Sequence, residues 1–219
     1  MNLDSEANVM HELVHVKNDL LRFNSLGKVA FQESHHKSGM LLHNASVIWE
    51  EYDSERQVAQ RIFAACKSVN QSAIVNFNLA VERADYILKE LEGFDGFLQE
   101  NIRKFRNWQL DPTAITHVIT SKIIGILVVL SYVYALRGIS DNVSAKITEV
   151  ERNACYVKFF SKEWSGIVGC LENLYGDRIK YRSDLLQTIA EAYDRILLTC
   201  GLDMSDHEQG FQVNVKDIS

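Results

Sequence analysis

An all-α fold is what this sequence predicts: one domain of about eight helices packed around a central hydrophobic helix. Three observations lead there. A single proline and 11 glycines in 219 residues supply few turn-formers, and a chain of many strands needs far more. Apolar residues recur at three- and four-residue spacing along most of the chain, the period of a helix with one buried face. Fourteen consecutive residues, 123 to 136, carry no charge, so this stretch is apolar on every side and belongs among other helices. A hydrophobic content of 47% is ample for a core at this length.

The elements follow in order. Val9, Leu13, Val16 and Leu20 form the core stripe expected of helix one, which should stop near Gly27. The polar stretch from Gln32 to Gly39, with His35 and His36, reads as a connecting loop. Leu41, Ala45, Ile48 and Tyr52 repeat the helical spacing, continuing through Ala59 to Phe63 as helix two. From Ile74, the stripe Phe77, Val81, Ala84, Leu88 and Leu91 runs to Gly93, and Phe97 to Trp108 follows as a further helix. Asp111 and Pro112 make a strong start signal for the central helix, a capping carboxylate followed by proline at the first helical position. Its uncharged run, Ile123 to Leu136, is shorter than the roughly 20 residues that span a bilayer. After a turn at Gly138 to Asp141, Val143, Ile147, Val150, Ala154 and Val157 mark one amphipathic helix. Trp164 to Tyr175 makes another, closed by Gly176, and Leu185, Ile189, Tyr193 and Ile196 the last before Gly201. The expected organisation is a helical bundle over residues 1–203 and a polar tail over 204–219.

Lys plus Arg total 23 against 29 Asp plus Glu, a net charge of −6, so there is no basic field for a nucleic-acid backbone. Cys66, Cys155, Cys170 and Cys200 are widely spaced with no C-x-x-C, which suits free thiols in a reducing compartment. Met1 to Glu6 lacks the basic start and apolar stretch of a secretory signal, and the residues after Gly201 are polar, so a cytoplasmic chain without a tail anchor is expected.

One catalytic signature is present. His11-Glu12-Leu13-Val14-His15 fits H-E-x-x-H, where two imidazoles one turn apart hold zinc and the glutamate acts as general base. A third ligand is needed, and Glu33, His35 and His36 are the candidates. Against a metalloprotease stand the absence of predicted strands to bind a substrate backbone and the place of Leu13 on the expected core stripe.

Four other stretches resemble, in order, the homology motifs of the B-cell lymphoma two (Bcl) family of apoptosis regulators, which shares a central apolar helix with pore-forming toxin domains. Glu12-Leu13-Val14 with Leu20 and Gly27 is similar to the fourth motif. Leu41, Ala45 and Ile48 match the leucine, small residue and apolar position of the third, with Ser46 at the aspartate position, and Tyr52-Asp53-Ser54-Glu55 resembles its sequel. Ser121-Lys122 leading into Ile123-Ile124-Gly125 is similar to the first, with lysine for arginine. Trp164, Ile167 and Val168 resemble the second, and Leu174-Tyr175-Gly176 its ending.

The resemblance implies a non-enzymatic apoptosis regulator that needs no cofactor and holds amphipathic helices of apoptosis-related proteins in a surface groove. Partner side chains would enter pockets near Ile48, Tyr52 and Gly125, beside Ser121, while Lys122 meets an acid. Loss of the aspartate at Ser46 weakens the chain as a donor helix and leaves it usable as a receiver, which points toward a survival-promoting role. A cytoplasmic location peripheral to the mitochondrial outer membrane, with transient membrane association, would go with this. Two alternatives stay open: the zinc metalloprotease of His11, Glu12 and His15, and a pore-forming protein that releases the helix over Ile123 to Leu136 into lipid.

Overall fold

The computed structural model describes residues 3–26, 36–68, 78–138, 141–176, 182–208 and 210–218. These residues form nine helices and one two-stranded sheet, so the chain is an all-α bundle with a small β appendage. In chain order the helices are α1 (Leu3–Leu26), α2 (Lys37–Ser68), α3 (Asn78–Glu92), α4 (Phe94–Arg106), α5 (Pro112–Ala135), α6 (Asp141–Arg152), α7 (Ala154–Phe159), α8 (Ser161–Gly176) and α9 (Ser183–Thr199). Strands β1 (Leu202–His207) and β2 (Gly210–Val215) follow.

The central helix begins where its signal lies. Asp111 is the N-cap and accepts a hydrogen bond from the backbone N–H of Ala114 at 2.8 Å, with Pro112 opening the helix. The helix is longer than its uncharged run: its 24 residues are long and apolar enough to cross a membrane, and somewhat more than half of that span is buried in the bundle. Around it pack α2, α3, α4 and α6. Helix α2 contributes Leu41, Ala45, Ile48, Trp49, Tyr52 and Ala59 to the core. Helix α3 contributes Ala80, Ala84, Ile87 and Leu91, and α8 and α9 close the far side with Trp164, Ile167, Leu171, Ile189, Tyr193 and Ile196.

Three expectations are corrected. The stripe of helix one faces outward: Val9, Leu13, Val16 and Leu20 are 55–61% exposed. The inward face carries Val14 and Asn18, flanked by His11, His15 and Arg22, because α1 seats on the acidic side of α2 through polar pairs. The helix expected from Val143 through Val157 is two helices. Asn153 leaves helical geometry (φ −65°, ψ 131°) and accepts from the N–H groups of Cys155 and Tyr156, starting α7 with a rotated face that buries Tyr156 and Phe159 and leaves Val157 exposed.

The third correction concerns the tail. Residues 204–219 were expected to be a polar extension; instead β1 and β2 pair antiparallel, Leu202 opposite Val215 and Met204 opposite Val213. Alternation does this: Leu202 and Met204 are buried, while Phe211, Val213 and Val215 repeat at period two against the core. The hairpin is tied to the start of α2, where Asp206 accepts from the Lys37 backbone N–H at 2.7 Å and the Lys37 ammonium donates to the Met204 carbonyl at 2.7 Å. Gly201 joins it to α9 at φ +88°, where a Cβ would sit 2.9 Å from the Lys216 carbonyl oxygen.

Two outcomes are expected in urea unfolding. Leu13→Ala and Leu20→Ala should each change stability by less than about 0.5 kcal/mol, whereas Val14→Ala should cost roughly 1–2 kcal/mol through two buried methyl groups. A larger cost at Leu13 than at Val14 would mean that α1 turns its other face inward. Gly201→Ala should cost about 1–3 kcal/mol from backbone strain alone, lowering the unfolding midpoint at constant slope.

Candidate functional site

The residues expected to bind a partner helix separate into two groups. Ile48 and Tyr52 are interior, as are the motif positions Leu41, Ala45, Trp164, Ile167 and Val168. All seven belong to the core cluster, Leu41, Ala45, Ile48 and Tyr52 from α2, which packs on α5 and α9, and Trp164, Ile167 and Val168 from α8. Burial pushes the Tyr52 phenol up to about 12, so it stays protonated inside the bundle. Ser46 is also buried and donates to the Leu42 carbonyl of its own helix at 3.1 Å, which satisfies its hydroxyl locally. Trp164 meets Tyr134 edge-to-face with ring centroids 5.4 Å apart, the role of an aromatic plug.

Ser121, Lys122 and Gly125, by contrast, reach the surface of α5. Ser121 and Gly125 lie one turn apart on its exposed strip, and a side chain at Gly125 would meet open space. The Lys122 ammonium is bound to the Glu90 carboxylate of α3 and lies 5.5 Å from the centre of the Phe97 ring. Helix α3 is itself amphipathic. Ala80, Ala84, Ile87 and Leu91, at four-three-four spacing, are all buried against the bundle, while Glu82, Asp85 and Tyr86 face water. The acid expected to meet Lys122 is thus already supplied from within the chain, by a residue that lies off the apolar stripe and that sequence reasoning did not single out.

On the opposite flank of α2, the two histidines of the H-E-x-x-H pattern do converge. His11 Nε2 and His15 Nε2 are 3.0 Å apart, and Glu51 Oε2 of α2 is 3.3 Å from the first and 3.6 Å from the second. Among the described residues, Glu12 and His36 do not join them. Glu12 is exposed and hydrogen-bonds to none of the three among the described residues. Of the expected third ligands, Glu33 and His35 lie outside the described residues, and His36 faces Asp206 of the hairpin at 3.9 Å. The third group is Glu51, signalled only by the match between two one-turn pairs, His11 and His15 on α1 against Glu51 and Glu55 on α2.

The surrounding charges are strongly coupled. Burial pushes the Glu51 carboxyl up, but hydrogen bonds from His11, His15 and the Tyr132 hydroxyl outweigh it and hold it well below the usual carboxylate range. His15 is raised by its hydrogen bond to Glu51 against the desolvation that lowers it. Asp53 is buried and accepts from the Asn18 amide at 3.0 Å and the Gln57 amide at 2.7 Å. Glu50 goes the other way: burial pushes it up to about 7, although Arg22 lies 3.2 Å away. No protein-family profile, curated protein or solved structure matches this chain.

Glu50 generates a pH dependence. It binds its proton near 7 in the folded chain and near 4.5 once unfolded, so its contribution to stability is complete below 4.5 and is lost as pH rises through 7. Glu50→Gln should remove that slope. The difference in unfolding free energy between wild type and variant, followed from pH 5 to pH 8, should fall steadily in wild type's disfavour, and a flat difference would contradict a raised Glu50.

Proposed function

We propose that the protein is a non-enzymatic regulator that receives an amphipathic partner helix along the exposed strip of α5 beside Lys122, and that the process it regulates is apoptosis, as its motifs resemble. The observation that carries the reading is the seating of α3. An amphipathic helix of this chain already lies on α5 with four apolar side chains buried at helical spacing and one carboxylate on Lys122, the combination by which an external helix would be read. Ser121 and Gly125 leave the adjoining strip of α5 uncovered. In this reading Ile48 and Tyr52 support the strip from the core, and affinity rests on a few buried anchors and one charge pair.

A partner acid must compete with Glu90 for the same ammonium. Glu90→Gln should therefore tighten binding of labelled third-homology-motif peptides about 3- to 10-fold in fluorescence anisotropy, and Lys122→Glu should weaken it by at least as much. Peptides with the motif leucine replaced by glutamate should not bind. Absence of sub-micromolar binding by wild type and Glu90→Gln alike, or equal affinity across all three proteins, would sink the proposal. A location in the cytoplasm, peripheral to the mitochondrial outer membrane, and a survival-promoting direction belong to the same proposal, and a cell-death assay with the Lys122→Glu chain tests them.

A second reading draws on the length and apolarity of α5, which would insert in lipid if the bundle opened. Dye release from liposomes by the protein alone, without a partner peptide, would favour it.

A further inference from the structure

We propose that His11, His15 and Glu51 form a binding site for a divalent transition-metal ion of the zinc class, which staples α1 to α2. The inference is independent of the helix-docking reading and concerns the other flank of α2.

The three donor atoms make a triangle with sides of 3.0, 3.3 and 3.6 Å. Ligands held about 2.0–2.1 Å from a tetrahedral zinc ion stand about 3.3 Å from one another, so the triangle is already one face of that coordination shell. Nothing has to move by more than a few tenths of an ångström. Two histidines one turn apart on a helix aim their rings at a common point, and the carboxylate comes from a different element, so the site exists only in the folded chain.

A second layer of side chains stands behind the ligands. The Tyr132 hydroxyl of α5 donates to Glu51 Oε2 at 2.5 Å. Glu55 Oε2 lies 3.9 Å from His11 Nδ1, the ring nitrogen that a metal bound at Nε2 leaves free. Arg83 of α3 holds Glu55 at 3.4 Å and lies 4.1 Å over the Tyr132 ring. Carboxylate behind histidine and a donor behind the ligating carboxylate are the outer-shell partners that fix ligand orientation in metal sites. The chain reaches the site from four helices, α1, α2, α3 and α5.

The ligand set selects the metal. Two imidazoles and one carboxylate suit zinc, copper, nickel or cobalt, and disfavour calcium and magnesium, which take oxygen. Three protein ligands leave a fourth position for water, and each of the three side chains is about one-fifth exposed, so an ion and its water can enter. The three ligands come from two elements, so an ion held by them ties α1 to α2. Anchoring is what α1 needs: its apolar stripe faces water, and polar pairs to α2 hold much of its inward face. Metal would then govern how firmly α1 is held.

The test uses the untagged full chain, treated with chelator and titrated calorimetrically with zinc sulfate. The expected result is one ion per chain, a rise in Tm on zinc addition, and with cobalt(II) the visible absorption of four-coordinate geometry. His11→Ala and His15→Ala should each weaken binding at least 100-fold and abolish the Tm rise. Tyr132→Phe, which keeps the ring, should weaken it about 10- to 100-fold. His35→Ala/His36→Ala should leave binding unchanged. Circular dichroism establishes that each variant is folded before titration. No stoichiometric binding by wild type would overturn the proposal. So would binding that survives His11→Ala and His15→Ala, or that is lost instead in His35→Ala/His36→Ala, which would assign the ion to surface histidines.

Discussion

Twelve residues of α5, from Ile115 to Ala135, are buried, and because they occupy roughly half of the helix circumference along its whole length no single neighbour covers them. The remaining helices are placed by that demand, with α2, α3, α4 and α6 each taking a side. Each fully buried isoleucine or leucine contributes on the order of 1.5–3 kcal/mol, so the central helix is the largest apolar investment the fold makes. Its buried hydroxyls do not oppose this. Thr116, Thr120 and Ser131 donate to the carbonyls of Pro112, Thr116 and Val128 within the same helix, so no polar group is left unpaired by their burial.

Helix α2 carries the consequences outward because it has two working faces. One, Leu41, Ala45, Ile48 and Tyr52, is pressed into the core. The other presents Glu50, Glu51, Asp53 and Glu55 to α1 and, through Tyr132 and Arg83, to α5 and α3. A largely polar attachment accounts for α1 lying with Leu13 and Val16 in water: four carboxylates on α2 select the side of α1 that holds histidine, asparagine and arginine. The same crowding drives neighbouring carboxyls apart, Glu51 down through three donors and Glu50 up through burial. Both candidate sites are thus outgrowths of helices whose main task is to enclose α5, the strip at Ser121 and Gly125 where the enclosure is incomplete and the His11, His15 and Glu51 cluster where α1 is attached.

Helix existence, the start at Asp111 and Pro112, and the core face of α2 were legible in the chain because each depends on residues within one or two turns of each other. So was the approach of His11 to His15. What the local pattern could not supply was the rotation of α1. A four-three apolar repeat says that a face exists, and whether it is turned inward depends on what the neighbouring helix offers, which here is charge. The hairpin at Leu202 to Val215 carried a readable period of two, but its strands are short and pack only because Lys37 and the end of α9 lie beside them.

The sequence by itself determined an all-α bundle, its central helix and the pairing of histidines on one helical face, since periodicity and capping are properties of neighbouring residues. The tertiary structure alone decided that Lys122 meets Glu90, that Glu51 completes the histidine pair and that α1 turns Leu13 and Leu20 to water. Those contacts join residues more than thirty positions apart, or depend on which side of a helix faces a distant one. No local spacing encodes them; they follow from how the other helices enclose the apolar side of α5.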